Sequence, residues 1–80
     1  MNIIGYAVRQ IRESKNLTQE QMVAHCQLLG WSISRGTLAK IESKVRCVTD
    51  KEVLLLSTAL KIDINQLYDG LSIKNAISKE

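Results

Sequence analysis

The chain has few of the residues from which metal sites and disulfide scaffolds are built. Its 80 residues include no proline, no phenylalanine, a single histidine and two cysteines, Cys26 and Cys47. One histidine and no C-x-x-C pair are too few ligands for a zinc site or a redox motif, and two cysteines do not make a disulfide framework. We therefore expect reduced thiols and no bound metal.

Membrane and export signals are missing from the sequence as well. No apolar run approaches the roughly 18 residues that a membrane span needs. The opening residues Met1–Gly5 have neither the basic start nor the small-residue cleavage site of a secretory signal. These features predict a cytoplasmic protein without a membrane partner.

Catalytic motifs are equally scarce. There is no glycine-rich phosphate loop, no nucleophile elbow and no nucleophile–base set. A chain of 80 residues forms one small domain, which leaves little room for a deep substrate cavity. We expect a binding protein, not an enzyme, with no cofactor and no small-molecule substrate.

The positive charge of the chain is concentrated in its first half. Residues 1–48 carry seven basic and three acidic side chains, whereas residues 49–80 carry four basic and five acidic ones. The first half is therefore the part that can face a polyanion such as nucleic acid. Taken alone, this excess also fits an ordinary solvated surface.

Helix starts recur along the chain. Ile4, Ala7, Val8 and Ile11 follow the spacing of one helical face, which predicts a first helix over about 3–14. After it, a branched apolar residue precedes a capping residue at four places, and another apolar residue follows four positions past each cap. The four instances are Leu17-Thr18…Met22, Ile33-Ser34…Leu38, Val48-Thr49…Val53 and Ile62-Asp63…Leu67. Gln21, Glu52 and Gln66 complete capping boxes at three of them.

These signals predict a compact all-α domain of five helices over residues 1–70. The later helices are expected over about 19–29, 35–42, 50–60 and 64–69, with Gly30 and Gly70 as left-handed C-terminal caps. The expected inward residues are Met22, Cys26, Leu29, Leu38, Ile41, Val53, Leu56, Leu60, Leu67 and Tyr68. Residues 71–80 form a C-terminal tail that fits a last helix, a strand or a partly ordered arm.

Three segments resemble a known family. Leu17–Val23 is similar to the "L-T-Q-x-x-L-A" that opens the second helix of phage-repressor-type (XRE) helix-turn-helix domains. Ser34–Glu42 is similar to their recognition helix, "S-x-x-T-I-S-x-I-E", and Val53–Leu67 to their fourth helix and the start of the fifth. The resemblance covers roughly 4–69. It implies a double-stranded DNA-binding transcriptional regulator of the repressor type.

The chain departs from the family pattern in three places. The stretch from Thr18 to Glu42 is about five residues longer than in compact members, with Trp31 expected to plug the core beneath the longer connection. The usual glycine after the recognition helix is replaced near Ser43-Lys44. Gly36 stands where a base-contacting side chain is common.

Helix geometry and the resemblance together indicate a DNA-binding surface. With Leu38 and Ile41 inward, the outward or edge residues of the third helix are expected to contact bases: Arg35, Gly36, Thr37 and Lys40. Residues at the helix starts and after the third helix are expected to hold phosphates: Thr18, Gln19, Ser34, Lys44 and Arg46. The resemblance also implies an ion pair between Arg12 and Glu42 that orients the third helix.

A second apolar stripe suggests a further interaction. Leu55 and Ala59 are expected opposite the buried face of the fourth helix, and Leu71 and Ile73 are apolar residues of the tail. We expect these residues to form a homodimer interface, which suits two-fold binding to palindromic half-sites. The alternative is a protein-interaction module, such as an adaptor or an antitoxin, on the same fold. Retention on heparin or random duplex DNA at low salt distinguishes the two.

Overall fold

The computed structural model describes residues 2–69, which fold into an all-α unit. Four α-helices, α1 (Gly5–Ser14), α2 (Gln19–Leu28), α3 (Arg35–Glu42) and α4 (Asp50–Leu60), are followed by a 3₁₀ helix (Ile64–Leu67). No residue of this range lies in a β-strand. The predicted all-α class is confirmed, with the fifth helix reduced to one 3₁₀ turn. The predictions for Gly70 and for residues 71–80 lie outside the described range.

The helix starts follow the predicted caps. The Thr18 and Thr49 hydroxyls accept hydrogen bonds from the backbone N–H three residues on, and Gln21 and Glu52 accept in return from the backbone of the cap residue. Ser34 caps α3 in the same way through the N–H of Thr37. These contacts satisfy backbone donors that the first helical turn leaves free, so local sequence alone fixes where three helices begin.

Each of the four α-helices is followed, one or two residues after its end, by a residue with left-handed backbone. The next residue in each case donates its N–H to the carbonyl five positions back, as in a Schellman motif. The left-handed residues and these bonds are Asn16 with Leu17→Arg12, Gly30 with Trp31→Cys26, Lys44 with Val45→Lys40, and Lys61 with Ile62→Ser57. Gly30 is the predicted cap, whereas the left-handed residue after α3 is Lys44, near the place where the family pattern has glycine.

The core lies where the four helices meet. α2 packs on α3 and α4, while α1 packs on α3 and α4. The fully covered side chains come from every element and include Ile4, Val8, Met22, Cys26, Leu38, Ile41, Leu56, Leu60 and Leu67. Trp31 is half-buried against this core, as expected for a plug.

Three inward or outward assignments from the sequence were wrong. Leu29 and Tyr68, expected inward, are each 40% exposed because α2 ends before Leu29 and the 3₁₀ helix ends before Tyr68. Ala59, expected on an outward stripe as a dimer-interface residue, is 4% exposed and belongs to the core. Its methyl group is buried within the single chain, which removes it from any outer surface.

Asn2 and Gly5 bring α1 directly against the end of α3. The Asn2 side chain is buried, accepts from the N–H groups of Ile4 and Gly5, and donates to the carbonyls of Ile41 (2.8 Å) and Arg46 (3.0 Å). Gly5 is buried beside the Ile41 carbonyl, where a Cβ would overlap the oxygen. These two residues fix how far α3 stands from α1.

Candidate nucleic-acid interface

The outward face of α3 is open to solvent. Arg35, Gly36 and Lys40 are exposed and Thr37 is half-buried, whereas Leu38 and Ile41 on the opposite face are completely covered. Eight residues give α3 a length of roughly 12 Å, which suits a major groove of about the same width. The four residues expected to contact bases therefore share one accessible face or its edge.

A buried ion pair holds the C-terminal end of α3. Arg12 Nε donates to Glu42 Oε2 at 2.7 Å and Nη2 to Oε1 at 3.1 Å, with only 9% and 4% of the two side chains exposed. Arg12 Nη1 also donates to the Leu17 carbonyl at 2.6 Å. One guanidinium thus ties α1 to α3 and to the turn before α2. Because desolvation offsets much of the attraction, its main effect is to orient the helices.

Gln19 links this buried pair to the open face of α3. Its Nε2 donates to Glu42 Oε1 at 3.1 Å. A carboxylate only accepts, so the amide oxygen of Gln19 is turned the other way, where it receives Arg35 Nε at 3.4 Å. Arg35 Nη1 also lies 3.7 Å from Glu20 Oε1. The Arg35 guanidinium therefore stands beside the N-terminus of α2.

These side chains border an open cleft of about 620 Å³ between α1, the start of α2 and α3. Its cationic walls are Arg12, Arg35 and Arg9. Arg9 was not among the residues expected from the sequence to contact DNA. It is exposed and lies 3.5 Å from Glu13 one turn further along α1. Its position one helical turn before Arg12 on α1 was the signal in the sequence that could have placed it in the cleft.

Of the residues expected to hold phosphates, some already use their polar groups in bonds within the protein, and Lys44 is exposed to solvent. Thr18 and Ser34 use their hydroxyl oxygens as helix caps, and Ser34 also donates to Thr37 Oγ1 at 3.0 Å. Lys44 is exposed directly after α3. Arg46 instead forms a two-bond pair with Glu52, with distances of 3.0 and 2.8 Å. The structure thus brings Thr18, Gln19 and Arg35 together and places Arg46 against α4.

The Arg46–Glu52 pair makes stability depend on pH. Hydrogen bonds from Arg46 hold the pKa of Glu52 below its ordinary value of 4.5. A carboxyl group with a lowered folded pKa stabilises the fold above its ordinary value, and this contribution is lost as pH falls through the folded pKa. We expect Glu52→Gln to flatten the acid side of a stability–pH curve from urea melts taken on both sides of 4.5. Glu13→Gln, which removes a carboxylate that is 54% exposed, is the control for the loss of one negative charge.

The remaining reactive side chains lie apart from the cleft. Burial raises the pKa of the Cys26 thiol to about 11, which makes it an unreactive core residue. His25 Nδ1 lies 3.2 Å from the Ala59 carbonyl. Within 2–69, no three His, Cys, Asp or Glu side chains are grouped so that they could hold a metal ion. None of the helices in this range is long and apolar enough to cross a membrane.

Comparison with known proteins identifies the family of this chain. A family model described as Helix-turn-helix matches residues 8–67, from α1 to the 3₁₀ helix. No curated protein and no solved structure matches the chain. The family match spans more than half of the chain and includes the cleft, α2 and α3. The chain therefore belongs to the helix-turn-helix family of the phage-repressor (XRE) type, a family of DNA-binding regulators.

Proposed function

We propose that the protein is a sequence-specific, repressor-like transcriptional regulator that inserts α3 into the major groove of double-stranded DNA. The observation that carries this proposal is the open face of α3, with Arg35 held beside the N-terminus of α2. Residues 1–70 are the DNA-binding domain, residues 71–80 are a tail, and the protein works in the cytoplasm without a cofactor.

Base recognition is assigned to α3. An arginine at the first helical position can donate two hydrogen bonds to guanine O6 and N7, which gives about 1–3 kcal/mol of discrimination. Arg35 occupies that position and is 66% exposed along its side chain. Gly36 lets the helix approach the groove closely, and Thr37 can touch a thymine methyl group. Lys40, one turn beyond Gly36, reaches a base or the backbone.

Phosphate binding is assigned to the ends of the helices. The N-terminus of α2 attracts an anion through its free N–H groups, with Thr18 and Gln19 beside it. Ser34 at the start of α3 and Lys44 after its end can hold the flanking backbone. Arg46 joins them by exchanging Glu52 for a phosphate. Each phosphate contact should steepen the fall of log K with log salt by about 0.9.

Two substitutions that each remove one positive charge test which side chains contact bases and which contact phosphates. Arg35→Ala is expected to relax sequence preference, whereas Lys44→Ala is expected to weaken binding to all sequences about equally and to reduce the salt slope by about one contact. The measurement is selection from a random duplex pool followed by titrations at several salt concentrations. Lys51→Ala, at an exposed position on α4, is the matched control. If Arg35→Ala changed neither affinity nor preference, the placement of α3 in the groove would be wrong.

We also propose that the protein binds as a homodimer. With Ala59 in the core, the apolar groups left on the outside of α4, of the 3₁₀ helix and of the residue after it are Leu54, 56% exposed, the half-buried Leu55, and Ile64 and Tyr68. Leu71 and Ile73, from the proposed tail, remain candidates for the same interface. Sedimentation is expected to show a dimer at high micromolar concentration, weakened by Leu54→Glu; a monomer at that concentration would contradict the dimer.

A protein-interaction module is the second candidate. One observation favours it: Leu28 at the end of α2 is 86% exposed and lines a small cleft with His25 and Thr58. An exposed apolar group at a cleft suits a protein partner. The protein should then fail to bind heparin or random duplex DNA at low salt, whereas the DNA-binding proposal expects retention that is lost as salt rises.

A further inference from the structure

Glu20 is a carboxylate at the edge of the surface that faces the DNA. It lies in the first turn of α2 and lines the cleft with Arg35. Its Oε1 is 3.7 Å from Arg35 Nη1, and its side chain is 76% exposed. A negative charge here repels the phosphate backbone, so in a purely electrostatic DNA-binding surface it would be unfavourable.

Gln19 and Glu20 contact the Nε and Nη1 atoms of the Arg35 guanidinium. A guanidinium has five N–H donors in a rigid plane. Gln19 Oε1 receives Nε and Glu20 Oε1 lies by Nη1, while the side-chain bonds of the described residues leave Nη2 without a partner. Nη2 and the second N–H of Nη1 therefore remain free to donate together to guanine.

We propose that Glu20 is a positioning residue that determines sequence preference through Arg35. This inference rests on the proposed function. Glu20 holds Nη1 from one side while Gln19, itself oriented by the buried Glu42, holds Nε from the other. The long side chain is then already ordered before it meets a base. Its ordering no longer has to occur on binding, which favours the contact by roughly three- to tenfold.

An exposed ion pair contributes little to the stability of the fold, and this makes the test clean. Because Glu20 and Arg35 are both largely exposed, Glu20→Gln leaves the fold intact. Removing the charge should raise affinity for any duplex, since one source of repulsion is lost. A neutral amide attracts the Arg35 guanidinium less than the carboxylate does, so the preference for guanine should fall at the same time. A rise in overall affinity together with a fall in guanine preference distinguishes positioning from a general charge effect.

The experiment compares Glu20→Gln with Glu13→Gln, which also removes one exposed carboxylate near the cleft. Each variant is titrated with three duplexes: one selected by the wild type, the same duplex with the guanine contacted by Arg35 replaced by adenine, and a random sequence. That guanine is the position at which Arg35→Ala no longer discriminates. We expect Glu20→Gln to lower the guanine-to-adenine affinity ratio about three- to tenfold while random-duplex affinity rises. Glu13→Gln should leave the ratio unchanged.

The outcomes separate this inference from the function on which it rests. If the wild type binds the selected duplex with preference but Glu20→Gln keeps the same ratio, the positioning role is wrong and the proposed function stands. If the wild type binds no duplex, the proposed function is wrong and the inference falls with it. In an Arg35→Ala background, Glu20→Gln should no longer affect the guanine-to-adenine ratio; a remaining effect would mean that Glu20 acts without Arg35.

Discussion

Replacing Glu42 with alanine is expected to lower the free energy of unfolding by about 3–5 kcal/mol, because it leaves the Arg12 charge buried without its carboxylate. Only 9% of the Arg12 side chain is exposed, so water cannot replace both lost bonds. Gln19 Nε2 loses its acceptor as well. For an 80-residue domain the whole stability is about 4–12 kcal/mol, so the loss removes at least about a quarter of it.

Glu13→Ala is the matched control for this variant. Glu13 also faces Arg12, at 4.0 Å, but 54% of its side chain is exposed. An exposed pair contributes about 0–1 kcal/mol, so urea melts should show almost no change. A second variant, Arg12→Met with Glu42→Leu, removes both charges together and should recover much of the stability lost in Glu42→Ala. Equal, small effects of Glu42→Ala and Glu13→Ala would contradict the buried pair.

The double variant also separates stability from orientation. If the pair mainly orients α3, the refolded double variant should bind DNA more weakly than the wild type, since Gln19 no longer has a carboxylate to hold it toward Arg35. The side chains on the outer face of α3 would be unchanged. A loss of affinity without a loss of stability would locate the role of the pair in positioning.

Local sequence predicted the features that depend on a few adjacent residues. The caps at Thr18, Ser34 and Thr49 involve a hydroxyl and a backbone N–H three positions away, so their spacing is visible in the chain. The open face of α3 follows from the 3.6-residue period in the same way. The start of each helix and the side that α3 presents were therefore within reach of sequence reasoning.

Features that depend on distant partners were not predictable in this way. Asn2 bonds to the Ile41 and Arg46 carbonyls, 39 and 44 positions along the chain. The sequence led us to expect Arg46 to hold a phosphate, but the fold places Glu52 against it. Ala59 was expected to face outward. The other elements that pack on α4 set how wide its buried face is, and helical periodicity does not show them. Helical periodicity gives the direction of a side chain and leaves open how many neighbours surround it.

Gly5→Ala is expected to destabilise the protein by at least about 3 kcal/mol, although alanine is the better helix former. The added Cβ would overlap the carbonyl oxygen of Ile41 and press on Asn2 Nδ2 at 3.0 Å. A backbone carbonyl cannot move away as a side chain can, so α1 and α3 must separate. Separation would also break the Asn2 bond to the same carbonyl, leaving buried polar groups without partners.

Gly36→Ala provides the opposite case within the same fold. At Gly36 the nearest atom to an added Cβ is Ser34 Oγ, at 3.9 Å, which is an ordinary contact. Helix propensity should then raise the free energy of unfolding by up to about 1 kcal/mol. In the proposed complex the added methyl group would stand between α3 and the groove floor, so DNA affinity should fall. Urea melts and DNA titrations of both variants test the pair: the α1–α3 packing requires Gly5, and we propose that the approach to DNA requires Gly36. If Gly5→Ala were as stable as the wild type, the close contact of α1 with α3 would be wrong.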